Sequence, residues 1–161
     1  MPTDQSGPGA DHESSDGGAA RAVVDVLYEY AHALDGGDAA ACADCFTDDG
    51  VWQAQWWDGA AIPDHRFCGR DELVGYFNRI VALHPPWTQL HLVANPRVQV
   101  DGDAATATSY FTTVALGQPS PTLGAPPLGP TLGAMGHYVD RLVRGDDRWR
   151  FAERTIVARA D

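Results

Sequence analysis

Lysine is missing from this chain: all 11 of its basic side chains are arginine, against 22 acids, for a formal net charge of −11. A surface with that balance repels phosphate backbones and anionic lipid, so it argues against nucleic acid and anionic membrane as partners. Long apolar runs are missing too; none approaches the roughly eighteen residues a helix needs to cross a bilayer. The first stretch, MPTDQSGPGADHESSDGG, has neither the basic start nor the apolar core of a secretory signal. It is polar, acidic and rich in glycine. The expectation is a disordered tail over 1–18, one domain over 19–161 and a cytoplasmic location. Cysteine is scarce, with three residues. Cys42 and Cys45 form CADC, while His65 and Cys68 sit in HRFC. Together they have a spacing that zinc sites use. Alternatively, Cys42 and Cys45 are small apolar residues on a helix, interchangeable with its alanines. No second CxxC appears, and the expectation is no metal. No glycine-rich phosphate loop or nucleotide fingerprint appears either, and the expectation is no cofactor.

What the chain does have is a clear change of period. Val24, Leu27, Tyr28, Ala31 and Leu34 recur at helical spacing, which predicts a helix over 19–34. Asp35 continues that register into the apolar stripe, with Tyr30 and His32 on its shoulders. The helix then stops at Gly36-Gly37. An acid is out of place there, because helix C-terminal carbonyls already carry partial negative charge. Asp38 is suited to cap a second short helix, AAACADCF. A strand is expected over 51–57 and a third helix, RDELVGYFNRIVAL, after Gly69. His84-Pro85-Pro86 ends that helix. From residue 89 the period is two. QLHLVANPRVQV, bulged at Pro96, pairs through the turn DGD with AATATSYFTTVAL. GHYVDRLVR and RWRFAERTIV make a second hairpin. The Pro- and Gly-rich segment 117–133 between them is either a pocket lid or a surface connector. Helices first and long antiparallel strands after make an α+β domain, a curved sheet wrapped around the helices.

The pieces YAHALDGGD, CFTDDGVW, FCGRDELVGYF, QLHLVANPRVQVDGDAATATSYF and GHYVDRLVRGDDRWRFAERTI, in that order, resemble the SnoaL-like members of the nuclear transport factor 2-like superfamily. The resemblance covers roughly residues 19–157 and implies a cone-shaped α+β fold. That family hosts dehydratases, dehydrohalogenases, polyketide cyclases, isomerases and binding-only proteins, so the fold does not settle the function. Within the family, scytalone dehydratase, bile-acid 7α-dehydratase and the lindane dehydrochlorinase resemble the chain at two places. Their catalytic aspartate ends the first helix and is matched by Asp35. Their catalytic histidine lies on the strand after the third helix and is matched by His91. The bile-acid enzyme also has a helix-one tyrosine matched by Tyr30. One departure is that no second histidine lies on 104–116. In polyketide cyclases the acid lies on a later strand, where Asp140 is the candidate.

The resemblance implies an enzyme without cofactor, most readily a dehydratase on a small hydrophobic substrate of polyketide or terpenoid type, acting in specialised metabolism such as antibiotic biosynthesis. Asp35 would fix the tautomer of His91 and support its cation, and the other ring nitrogen would carry the proton. Tyr30 would assist. Asp35 has a competing reading as a local turn cap. Trp52, Trp56, Asn95, Tyr138 and Arg154 are the candidate lining residues; for Arg154 a structural ion pair is the alternative, and for the tryptophans plain core filling. A cyclase or a binding-only accessory protein remains open. Relatives are commonly oligomers, so a homodimer or homotrimer is expected.

Overall fold

The computed structural model describes residues 10–116 and 129–158. Its elements are α1 (Ala10–Asp35), α2 (Ala39–Asp44), β1 (Phe46–Trp56), β2 (Ala61–Cys68), α3 (Arg70–Leu83), β3 (Gln89–Asp101), β4 (Ala104–Ala115), β5 (Thr131–Arg144) and β6 (Trp149–Ala158). The strands form one six-stranded sheet in the order β2-β1-β6-β5-β4-β3. Every neighbouring pair is antiparallel except β1 and β6, which run parallel. The helices pack on one face of the sheet, and the core lies between. The α+β layout expected from the sequence is the one observed.

Helix α1 starts at Ala10 rather than 19. The polar segment ADHESSDGG continues the helix, although its two glycines make it a poor helix former; residues 1–9 lie outside those described. The buried face of α1 is one residue out of the expected register. Val23, Leu27, Tyr30 and Ala31 are buried, while Tyr28 is exposed. Valine, leucine and tyrosine crowd this helix on several sides, so the period alone did not choose among adjacent rows. Asp35 still falls on the buried face, because the row 23–27–31–35 advances in steps of four.

Strand β1 begins at Phe46, earlier than expected, and takes in the segment TDDG through a register shift between Phe46 and Val51. Strand β2 has no counterpart among the elements expected from the sequence. Its residues Ala61, Pro63, Asp64, His65 and Arg66 are exposed on an edge strand, where no alternation is imposed. The two later hairpins are as expected, and β3 is bulged between Ala94 and Arg97. Strand β5 starts at Thr131, inside the segment read as a loop. The lid or connector proposed for 117–133 otherwise falls on residues 117–128, outside those described.

The sheet's inner face alternates cleanly. On β4, Ala105, Ala107, Ser109, Phe111 and Thr113 are buried and the residues between them are not. Ala105 and Ala107 belong to one core cluster with Leu27, Tyr30, Leu73 and Phe77 from the helices. Complete burial of Leu27, Leu73 and Phe77 contributes about 1.5–3 kcal/mol each.

Candidate active site

The end of α1 is closed by a Schellman arrangement. The N–H of Asp38 donates to the Ala33 carbonyl at 2.8 Å and that of Gly37 to Leu34 at 3.1 Å. Gly37 has φ +76°, the left-handed conformation this closure requires. Asp38 in turn accepts from the N–H of Ala41 at 2.9 Å and caps α2. Asp35 is therefore not needed as a cap, and its carboxylate makes no local turn. It crosses to β3. Its Oδ1 lies 2.6 Å from Nδ1 of His91, and the backbone N–H of His91 donates to both carboxylate oxygens at 3.1 and 3.0 Å. The acid that the helix end repels is thus held by the backbone and ring of the facing strand.

The pair is largely enclosed, with side-chain exposures of 8% for Asp35 and 13% for His91. With Nδ1 against a carboxylate, the neutral ring carries its proton there and presents Nε2 as the acceptor. Nε2 has no hydrogen-bond partner among the described residues. Directly across from His91 on β4 is Thr113, buried, with its hydroxyl unpartnered among the described residues.

Inward of this pair the wall is aromatic. Tyr138 on β5 stacks on Phe111 with centroids 4.5 Å apart and meets Tyr30 edge-on at 6.5 Å. Tyr30 is buried rather than on a shoulder of α1, and its hydroxyl accepts from Nε1 of Trp52 at 3.1 Å. That leaves the hydroxyl proton of Tyr30 available as a donor. Burial pushes the Tyr30 phenol well above its usual range, with Tyr138 adding to the shift and Arg154 opposing it. Burial likewise raises Tyr138 against the pull of Arg154, with the negative charges of Asp140 and Asp35 reinforcing it. Both phenols therefore stay protonated, as donors.

Arg154 is fully buried and lies over the rings of Tyr30, Tyr138 and Phe151, its Cζ 4.1–4.4 Å from their centroids. It donates twice to Asp140, Nε at 2.9 Å and Nη2 at 2.8 Å. Burial raises the Asp140 carboxyl, opposed by this guanidinium; burial disfavours the Arg154 charge, but Asp140 outweighs it and holds the proton more tightly than usual. Both Asp140 oxygens are thereby committed, so Asp140 is not the free acid that a cyclase reading asks of it.

The other candidates separate. Trp52 is a wall residue: its ring meets Tyr76 at 4.3 Å and Phe67 at 5.9 Å, and its N–H holds Tyr30. Trp56 is half-buried at the end of β1. Asn95 does not line the site. It has φ +52° within the bulge of β3 and is exposed, because the extra residue of the bulge breaks the alternation that put it on His91's face. Cys42 on α2 and Cys45 at its C-terminal cap are buried, whereas Cys68 and His65 are exposed. Among the described residues no three ligating side chains converge. Burial raises the Cys42 thiol, and it pushes Cys45 up to about 11 despite Arg148. Sequence reasoning missed Thr113 and Ser109. The available signal was small polar residues on the inward parity of β4, where a packed strand would carry valine or isoleucine.

Among curated proteins none matches the sequence. Solved structures do. Rv3472 of Mycobacterium tuberculosis, described as of unknown function, is 24% identical over 95% of this chain and 76% of its own, with a TM-score of 0.70. A proposed dehydratase of the nuclear transport factor 2-like family from Streptomyces avermitilis is 16% identical over 89% of this chain and 97% of its own, with a TM-score of 0.69. A proposed scytalone dehydratase from Novosphingobium aromaticivorans is 19% identical over 89% and 86%, with a TM-score of 0.68. At these identities the likeness is one of fold. The sequence itself matches the SnoaL-like domain over residues 18–155, and the chain belongs to that family.

Proposed function

We propose that the protein is a lyase or isomerase, a dehydratase in the first instance, whose proton transfers are made by Asp35 and His91 on a small hydrophobic substrate. The observation that carries this is the 2.6 Å contact between Asp35 and Nδ1 of His91, together with a second ring nitrogen that has no partner among the described residues. Nε2 removes a proton from the carbon beside a substrate carbonyl. The electron pair moves to the carbonyl oxygen, which accepts hydrogen bonds from the Tyr30 or Tyr138 hydroxyl. Asp35 stabilises the imidazolium. The imidazolium then returns the proton to a β-hydroxyl, which leaves as water as the carbon–carbon double bond forms. Without a leaving group, the same proton returned elsewhere gives an isomerisation. The aromatic wall favours polyketide- or terpenoid-like substrates.

The first half-reaction can be tested without knowing the substrate. In deuterium oxide the protein should speed exchange of the protons beside the carbonyl of 2-tetralone, followed by NMR, and Asp35→Asn should abolish most of the gain. A wild-type rate equal to buffer would favour a binding-only protein.

A further inference from the structure

Asp35 is held twice. Its carboxylate takes the ring and the backbone N–H of His91, and its backbone carbonyl takes the N–H of Trp87 at 2.7 Å. That carbonyl is one of the helix-end acceptors that α1 cannot satisfy itself. Trp87 lies in the connector between α3 and β3, four residues ahead of His91. The connector is braced behind it: the N–H and hydroxyl of Thr88 donate to the Pro85 carbonyl at 3.1 and 2.6 Å, and the N–H of Leu116 donates to the Thr88 carbonyl at 2.8 Å. Its fit to α1 depends on the two glycines after Asp35. A Cβ on Gly36 would stand 3.3 Å from Cζ2 of the Trp87 indole and 3.1 Å from the His32 carbonyl oxygen, and one on Gly37 would stand 3.1 Å from Cγ of Pro86. Ending a helix asks for one left-handed glycine, and Gly37 is that one. Gly36 is not left-handed, so the turn does not explain it; the indole lying on it does.

Trp87 itself has φ +62°, a conformation that bulky side chains rarely adopt. Such strain persists where the surroundings hold it, and it gathers at functional sites. Trp87 is 54% exposed, so full burial of the ring is not what the strained turn secures. We infer that Trp87 is a positioning residue for the dyad: seated on Gly36 and bonded to the Asp35 carbonyl, it fixes the end of α1 against the start of β3 and so sets the reach of the Asp35 carboxylate to His91. This deepens the proposed function and rests on Asp35 and His91 as the proton-transfer pair. The pair bridges two elements that share no backbone ladder, and β3 is the last strand of the sheet. The seat of Trp87 on Gly36 does not change as the imidazole gains and loses its proton, so it keeps the helix end in place through the cycle.

The test uses Trp87→Gly in the full chain. Glycine accepts a positive φ, so the turn and its N–H are kept while the indole is lost. The variant should keep the circular dichroism of the wild type and slow proton exchange of 2-tetralone by about tenfold or more, the scale of a misplaced catalytic group. The far-downfield proton resonance of His91 Nδ1–H, assigned in the wild type by its absence in Asp35→Asn, should broaden or disappear. In an Asp35→Asn background Trp87→Gly should slow exchange no further, because the indole acts through the carboxylate. Gly36→Ala, which displaces the ring and leaves Trp87 in the chain, should move both readouts the same way, and it decides the matter should Trp87→Gly fail to fold. A folded Trp87→Gly protein with the wild-type rate and resonance, or one whose loss multiplies with that of Asp35→Asn, would overturn the positioning role. A wild type that exchanges no faster than buffer would sink the proton-transfer reading instead, and the resonance alone would then decide whether Trp87 sets the contact between Asp35 and His91.

Discussion

Arg154 carries its charge with no exposure at all, and its partner decides what that costs. Breaking a buried, bidentate pair by removing one member strands the other charge, at about 3–5 kcal/mol. Arg154→Met should lower the urea unfolding free energy by that order. Asp140→Leu combined with Arg154→Met should recover most of the loss, because no charge is then left unpaired. Equal losses in the single and double variants would show that the guanidinium stabilises by packing over its three rings instead. At this scale the sequence was informative for Asp35 and His91, since an acid on an apolar helix row has few ways to be satisfied. It was misleading for Asn95, because a single bulge residue reverses every inward and outward assignment after it.

Among elements, the approach of β5 to β6 is set by a glycine. A Cβ on Gly136 would collide with the carbonyl oxygen of Val157 and lie 3.0 Å from the Phe111 ring. Backbone cannot yield as a side-chain tip can, so Gly136→Ala should cost about 1–3 kcal/mol in thermal unfolding. Gly17 is the contrast: it is helical, and a methyl group added there would meet nothing within 4 Å, so Gly17→Ala should add about 0.5–1 kcal/mol. A Gly136→Ala protein as stable as wild type would mean that β5 and β6 are not held at this spacing. The helices after 35 and both late hairpins were legible because capping residues, glycine turns and a period of two all agree there. Strand β2 was not, since Pro63, Asp64, His65 and Arg66 are exposed and nothing selects their pattern. The parallel pairing of β1 with β6 joins segments about a hundred residues apart, and local sequence carries no record of such a contact.

Over the whole molecule, the sheet's outer face carries an apolar patch. Trp57, Leu92, Tyr110 and Met135 are more than half exposed and line, with Ala94, Thr112 and His137, a groove of about 540 Å³. None of these residues carries a carboxylate, on a chain whose net charge is −11. Two copies can meet there without bringing carboxylates together across the groove's lining. The proposed homo-oligomer is accordingly one in which this face covers itself in a second copy. Sedimentation should give a dimer or larger species, and Tyr110→Asp should give a monomer with unchanged circular dichroism. A wild-type monomer at micromolar concentration, or an oligomer that ignores Tyr110→Asp, would contradict it.

The central claim is that Asp35 and His91 act as one catalytic unit, and a double-mutant cycle on proton exchange tests it most directly. Exchange beside the carbonyl of 2-tetralone is measured for wild type, Asp35→Asn, His91→Ala and the double variant. Each single change should slow exchange by about a hundredfold or more, the usual scale of a positioned acid or base. The double variant should be little slower than either single one, because residues working as a unit are not additive. Losses that multiply in the double variant, or an Asp35→Asn protein that exchanges at the wild-type rate, would contradict the dyad and leave the 2.6 Å contact as a structural tie between α1 and β3.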